Sequence, residues 1–168
     1  KPMHHPNDQQ AQSDLAAHVA STYFTGDFHI LAHDYGVSVG QELLARSGKG
    51  QLSGHVLSCA FLNGGLLPAL HRARPIQKLL AGPLGGLIVR MQNRERFGKS
   101  FSEVFGKDTQ PSGAELDAYW ELITANNGHL IMHKLLHYMA DRRTHGPRWE
   151  AVLQEPPCPV ALINGTQD

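Results

Sequence analysis

The stretch 28–46 constrains the fold of this chain of 168 residues more than any other feature of the sequence. A short apolar run at 28–33 predicts a buried strand, and the residues after Gly36 predict a helix. Asp34 lies between them, with Ala32 two residues before it and Gly36 two residues after it. This arrangement is typical of a nucleophile elbow that carries aspartate where many such elbows carry serine. Small neighbours are expected because so sharp a turn brings the strand and helix backbones close together.

The same pattern has a purely structural interpretation. Aspartate is a preferred N-cap residue, so Asp34 is also suited to cap the helix that follows it. The strand-turn-helix pattern alone leaves both interpretations open.

Two further apolar runs extend the predicted sheet. The run 55–62, bounded by Gly54 and by the sequence Asn63-Gly64-Gly65, predicts a second buried strand, and 159–163 predicts a third. A strand, a helix and a strand of these lengths form a βαβ unit, which implies a parallel sheet. Asn63, at the end of the second strand, is interpreted as a turn residue and not as a pocket residue.

The remainder of the chain predicts helices. A helix is expected at about 10–24, before the first strand, and residues 66–154 predict helices without any strand. The expected helices in this long insertion lie at 75–80, at 84–92, after the capping-box sequence that begins at Ser112, and at 129–141. The resulting organisation is an α/β core at 1–65, a helical lid at 66–154 and a return to the core at 155–168.

The composition excludes several classes of function. Lys plus Arg equals Asp plus Glu, so no net charge favours nucleic acid or an anionic membrane. The short basic clusters at 71–74 and 141–143 are expected to be solvated. No stretch approaches the roughly 20 apolar residues of a membrane span. Two cysteines give no disulfide framework, with Cys59 expected in the core, so a reducing, cytoplasmic location is predicted.

The elbow sequence at 33–36, with the helix sequence at 41–46, resembles the α/β-hydrolases of the haloalkane dehalogenase and epoxide hydrolase branch. It is similar in particular to the mesoderm-specific-transcript-like hydrolases. Three further matches support this: the sequence 62–65, the His-Arg pair at 71–72, and the turn from Gly165 to Asp168. The resemblance covers essentially the whole chain.

The resemblance implies specific roles. Asp34 would be the nucleophile, Asp168 the acid that orients a catalytic histidine, and the backbone N–H of Tyr35 part of the oxyanion hole. The histidine is expected beyond Asp168, and a further oxyanion segment before Lys1. The chain would then be an internal fragment of a longer hydrolase, inactive by itself and prone to expose apolar faces. No cofactor is implied, and the partner is a small-molecule substrate.

An aspartate nucleophile favours particular substrates. Attack of a carboxylate on a saturated carbon gives an ordinary alkyl ester, whereas attack on an acyl group gives a high-energy anhydride. Epoxides and alkyl halides are therefore favoured over esters. The branch commonly has tryptophan after the nucleophile to hold a halide, and Tyr35 replaces it here, which favours epoxides slightly. Tyr119 and Tyr138 are candidate acids for ring opening, and Trp120 is a candidate pocket residue.

Two other classes of function compete with this one. His129, His133 and His137 recur every four residues and would form one stripe on a predicted helix, a spacing that suits a metal-binding helical protein. No further ligand pattern accompanies the stripe. The third hypothesis is a non-catalytic or incomplete hydrolase-like domain.

Overall fold

The computed structural model describes residues 8–24, 26–67, 70 and 75–165. Their contacts divide the chain into two compact units. The first unit lies within Lys1–Arg72 and His137–Asp168, and the second lies within Ala73–Leu136.

The first unit contains a parallel three-stranded sheet in the order β1-β2-β3. The strands are β1 (Phe28–His33), β2 (Val56–Leu62) and β3 (Val160–Ile163), and the helices of this unit are α1 (Gln9–Tyr23), α2 (Gly36–Ser47) and α8 (Tyr138–Gln154). The predicted α/β class, the parallel pairing and the three strands are confirmed. Asp8 caps the start of α1, because its carboxylate accepts from the N–H of Ala11.

The core of this unit lies between α2 and one face of the sheet. Val37 and Leu44, seven residues apart on α2, are fully buried and therefore share one face of the helix. They pack with the buried residues of the two strands, namely Ala32, Val56, Cys59 and Phe61. Cys59 is thus a core residue, as predicted, and burial, with Cys158 nearby, raises the pKa of its thiol to about 12.

The tight approach of helix to strand occurs at Gly40 and not at Gly36. A Cβ at Gly40 would lie 2.9 Å from Cε1 of Phe61 and 3.1 Å from Cβ of Ala32. A Cβ at Gly36 would meet no described atom within 4 Å. Ala32 is small for the expected reason, but the expectation for Gly36 is wrong, because α2 closes on the sheet only one turn later.

The opposite side of the sheet and its ends expose apolar side chains. Leu31 on β1 is 75% exposed, and Leu162 and Ile163 on β3 are also exposed. The expectation of exposed apolar faces is confirmed for these described strands.

The second unit is helical. It contains α3 (Pro75–Leu80), α4 (Gly85–Arg90), α5 (Arg94–Ser102), α6 (Gly113–Thr124), a 3₁₀ segment (Ala125–Ile131) and α7 (Met132–Leu135). The predicted capping box at the start of α6 is present: the N–H of Glu115 donates to Oγ of Ser112, and the Glu115 carboxylate accepts from the N–H of Ser112. Helix α5 was not predicted.

The single predicted helix at 129–141 is wrong. Asn126 and Asn127 both adopt positive φ, and the chain continues as a 3₁₀ segment and the short α7 before α8 begins at Tyr138. The sequence does not predict the full length of α8 because the helix contains Pro147, and proline inside a helix ordinarily breaks it. Within the described part of the chain, no helix is long and apolar enough to cross a membrane.

The predicted insertion at 66–154 does not coincide with either of the two units. Helix α8 falls in the first unit, where it packs against α2. That the helices of the second unit form a lid stays a prediction.

Candidate active site

Asp34 forms a sharp turn between β1 and α2. Its φ is +49°, in the left-handed region that non-glycine residues seldom adopt. The turn is held by two backbone hydrogen bonds: the N–H of Asp34 donates to the carbonyl of Leu62 at 3.1 Å, and the N–H of Val37 donates to the carbonyl of Asp34 at 3.1 Å. The carboxylate itself is exposed. Such backbone strain at an exposed reactive group is a common feature of functional sites.

The capping interpretation of Asp34 has no support in the structure. Tyr35, with helical φ and ψ, immediately precedes the first residue of α2, and this helix start has no side-chain capping hydrogen bond. Val37 donates to the backbone oxygen of Asp34 and not to its carboxylate. The Asp34 carboxylate is therefore not used to cap α2.

The segment that follows β2 lies against the elbow. A Cβ at Gly64 would overlap the side chain of Val37 and lie 3.0 Å from the carbonyl oxygen of Asp34. Glycine is therefore required here by the close approach of two backbones. Asn63 has φ +41°, and its Oδ1 accepts from the N–H of Gly165 at 2.8 Å. The turn interpretation of Asn63 is confirmed, and its side chain ties the end of β2 to the end of β3.

Arg142 is the charged residue that the sequence interpretation placed wrongly. Its predicted place was a solvated surface, but the side chain is 7% exposed in the structure. Nη2 donates to the carbonyl of Gly65, whereas Nε is buried and has no hydrogen-bond partner among the residues that the structure describes. Burial lowers the pKa of Arg142, and the charges of Tyr138 and Asp34 act in the opposite direction. A buried guanidinium thus lies within electrostatic reach of the candidate nucleophile. The other predicted basic cluster, 71–74, lies outside the described residues.

Two tyrosines accompany Arg142. The rings of Tyr35 and Tyr138 meet edge to face, with 6.0 Å between their centroids. Burial raises the pKa of Tyr35, and the carboxylates of Asp141 and Asp8 raise it further. The Tyr35 hydroxyl therefore stays protonated at neutral pH and acts as a neutral hydrogen-bond donor. The structure brings Tyr35 and Tyr138, two of the predicted site residues, together beside the elbow.

The other predicted site residues lie elsewhere. Tyr119 and Trp120 belong to the second unit, where they join an aromatic cluster: the ring of Tyr119 is 4.8 Å from that of Phe101, and Trp120 is 5.6 Å from Phe97. Their assignment to substrate binding stays a prediction. Asp168 lies outside the described residues.

A second buried charge was missed by the sequence interpretation. Glu42, on α2, is 2% exposed and accepts from Nε of Arg46 at 2.9 Å, from Nε of Arg148 at 2.9 Å and from Nε1 of Trp149 at 2.9 Å. Burial by itself would raise the pKa of Glu42, but the hydrogen bonds from Arg46, Trp149 and Arg148 hold it below its usual range. This network joins α2 to α8 and so fixes the helix that carries Arg142.

The sequence signal for this network was weak. Glu42 and Arg46 have the i, i+4 spacing of a helical ion pair, but exposed pairs share that spacing. Arg148 and Trp149 follow Pro147, inside a helix that was not predicted. Arg142 gave no signal at all, because basic residues are mostly exposed.

The histidine stripe does not form on one helix. His129 lies in the 3₁₀ segment, His133 in α7, and His137 just before α8. Nδ1 of His129 and Nδ1 of His133 are buried without hydrogen-bond partners. Among the residues that the structure describes, no group of three or more His, Cys, Asp or Glu side chains could hold a metal ion. The helical geometry on which the metal hypothesis rested is therefore wrong.

Comparison with known proteins agrees with this architecture. The chain is 34% identical over 168 residues to a Mycobacterium tuberculosis protein named "Putative hydrolase LipZ", and covers 58% of it. It is 37% identical over 145 residues to the mesoderm-specific transcript homolog protein of Bos taurus, with 83% of this chain and 43% of that protein covered. The chain therefore spans only about half the length of these relatives. No family model matches it.

A solved structure shows the fold. An α/β hydrolase fold protein from Burkholderia ambifaria superposes with a TM-score of 0.64 at 15% identity, over 94% of this chain and 55% of that one. At this identity the likeness concerns the fold alone. The chain has an α/β-hydrolase-like architecture, with Asp34 at the turn between β1 and the following helix α2.

Proposed function

We propose that the protein is a hydrolase that uses Asp34 as the nucleophile against a saturated carbon. The observation that carries the proposal is the backbone of Asp34, held at φ +49° between β1 and α2 with its carboxylate exposed and not used as a helix cap. The identity to a protein named as a hydrolase supports the general class. The aspartate and its surroundings support the finer assignment.

The chemistry proceeds in two steps. A carboxylate oxygen of Asp34 bonds to the substrate carbon while the carbon–halogen or carbon–oxygen bond breaks, and the electron pair leaves with the halide or alkoxide. Water then attacks the carbonyl carbon of the resulting ester and releases the alcohol. The first N–H groups of a helix have no partner within the helix, so those at the start of α2 are suited to stabilise the oxyanion of this second step. The resemblance assigns the general base to a histidine beyond Asp168, oriented by Asp168.

Among the two substrate classes, epoxides are favoured. Opening an epoxide requires a donor for the alkoxide oxygen. The rings of Tyr35, the residue after Asp34, and Tyr138 contact each other, so their hydroxyls are proposed as the donors. Neither is tryptophan, whose indole N–H serves halide binding in the branch. Tyr119 and Trp120, in the second unit, are proposed to contribute to substrate binding from the lid.

The nucleophile is tested by isotope labelling under single-turnover conditions. The full-length protein, in excess over a small apolar epoxide, is incubated in ¹⁸O-water and digested, and the peptide that contains Asp34 is analysed by mass spectrometry. We expect one ¹⁸O in the Asp34 carboxylate, because water attacks the ester carbonyl and not the substrate carbon. Label found only in the product would contradict the proposal.

The matched variant is Asp34→Asn. It keeps the size of the side chain and the ability of this residue type to adopt positive φ, so the fold should be retained while turnover is lost. Activity is expected to fall by at least roughly a thousandfold, since removal of a covalent nucleophile removes the reaction path. Asp14→Asn, an exposed carboxylate on α1, serves as the control and should leave turnover unchanged.

A further inference from the structure

The hydrogen bonds of Arg142 offset only part of the positive charge that it places in the first unit. Its side chain is 7% exposed. Within the described part of the chain, the carbonyl of Gly65 accepts from Nη2, and the buried Nε has no partner. Among the described residues, the Asp34 carboxylate is an anionic group whose charge favours the charged form of the guanidinium. In the part of the chain that the structure describes, the candidate nucleophile is therefore a group that offsets part of the charge of this buried cation.

The proposed reaction removes that balance. When the Asp34 oxygen bonds to the substrate carbon, the carboxylate becomes a neutral ester, and Arg142 loses its countercharge. A buried charge without a partner is strongly unfavourable. The same step breaks the bond to the leaving group and places one negative charge on it. The negative charge is therefore transferred within the site and not lost from it.

We infer that Arg142 forms an anion site that is filled only when Asp34 is neutral, and that it binds the halide released in the first step or the alkoxide formed on the same esterified molecule. The inference rests on the proposed function. In the resting protein the Asp34 carboxylate competes with any anion for the guanidinium. In the ester the competition is absent, so the leaving group is stabilised at the moment when it forms.

The segment after β2 positions the guanidinium for this role. Gly65 accepts the hydrogen bond from Nη2, and a Cβ at Gly65 would lie 2.5 Å from the same nitrogen. Gly64, its neighbour, lies against the backbone of Asp34. The two consecutive glycines therefore contact the elbow and Arg142, respectively.

The anion site is tested without catalysis by using chloride alone as the probe. Asp34→Asn imitates the neutral ester, and line broadening in chloride NMR measures binding to the full-length protein. We expect Asp34→Asn to bind chloride on the order of tenfold more tightly than the wild type, because Arg142 has lost its countercharge. The double variant Asp34→Asn/Arg142→Gln is expected to lose this binding.

The matched control is Asp34→Asn/Arg143→Gln, since Arg143 is the exposed neighbour of Arg142 and should not affect binding. Equal chloride binding by the wild type and Asp34→Asn would overturn the inference, as would binding that survives Arg142→Gln. If Arg142→Gln prevents folding, Arg142→Lys replaces it and is expected to bind more weakly, because it lacks the planar fork. Binding unchanged by Arg142→Lys would then overturn the inference.

This result is independent of the labelling experiment. Chloride binding without ¹⁸O in Asp34 would refute the proposed nucleophile and leave an anion site. Label in Asp34 without chloride binding would support the nucleophile and refute the anion site.

Discussion

Glu42 and Arg142 are two buried charges in the same unit, and their surroundings differ. Glu42 is 2% exposed and accepts hydrogen bonds from two arginines and an indole N–H. Arg142 is 7% exposed and donates to the carbonyl of Gly65, and its buried Nε has no partner among the described residues. The first charge is fully compensated, whereas an exposed carboxylate offsets part of the second.

The difference separates a structural charge from a functional one. Removing either partner of a compensated buried ion pair is strongly destabilising. Such a pair therefore fixes the elements that carry it relative to each other. An undercompensated ion adds little to stability, but it interacts strongly with any charge that appears beside it. We infer that the Glu42 network holds α8 against α2, while Arg142, six residues before Arg148 on the same helix, is positioned near the elbow.

The largest expected effect is therefore on stability at Glu42. Glu42→Ala should lower the free energy of unfolding by about 3–5 kcal/mol, because Arg46, Arg148 and the indole of Trp149 lose their common acceptor. Arg142→Met should change it by less than about 1 kcal/mol, because it removes one hydrogen bond together with an unsatisfied N–H. Urea denaturation of the full-length protein measures both values.

The control for Glu42→Ala is a substitution of the exposed carboxylate in the same network. Asp14 accepts from Nη2 of Arg46 at 2.6 Å but is largely exposed, so Asp14→Asn should cost less than about 1 kcal/mol. Equal destabilisation by Glu42→Ala and Arg142→Met would remove the distinction between the two charges.

An intermediate effect is expected from the glycines of α2. Gly40→Ala should cost about 1–3 kcal/mol, because the new methyl group would lie 2.9 Å from Cε1 of Phe61 in a packed core. Gly36→Ala, at the elbow end, should be neutral or should stabilise by up to about 1 kcal/mol, since it meets no described neighbour and alanine favours helices. Thermal unfolding of the two variants distinguishes these outcomes.

The costs of Gly36→Ala and Gly40→Ala show which half of α2 is packed more tightly. A larger cost at Gly36 than at Gly40 would mean that the elbow half, and not the half that carries Glu42, is the tightly packed one.

The elements of the first unit were predictable because their signals are local. The strand 28–33, the helix after Gly36 and the strand that ends at Leu62 each follow from a short run of apolar residues. The position of Asp34 between two of them follows directly. The capping box at Ser112 was equally visible, because its two partners are three residues apart.

The contacts that decide the site were not predictable. Arg142 and Gly65 are 77 residues apart, and Glu42 and Arg148 are 106 apart, so no local pattern connects them. The helix that carries both arginines contains Pro147, which hides it from propensity arguments. The break at Asn126 and Asn127 depends on left-handed backbone, which the histidine spacing alone does not reveal.

The smallest expected effect is the pH dependence of stability, and it again separates the two charges. Hydrogen bonds hold the pKa of Glu42 below the unfolded value of about 4.3, although burial alone would raise it. A carboxyl group with a lowered folded pKa stabilises the protein fully above its unfolded pKa and loses this contribution as the pH falls through the folded pKa. The unfolding free energy of the wild type should therefore fall more steeply below about pH 4.5 than that of Glu42→Gln. Arg142 stays charged throughout this acid range, so Arg142→Met should follow the wild-type slope. Urea denaturation at a series of pH values measures the slopes, and a wild-type slope equal to that of Glu42→Gln would show that Glu42 gains nothing from its three donors on folding.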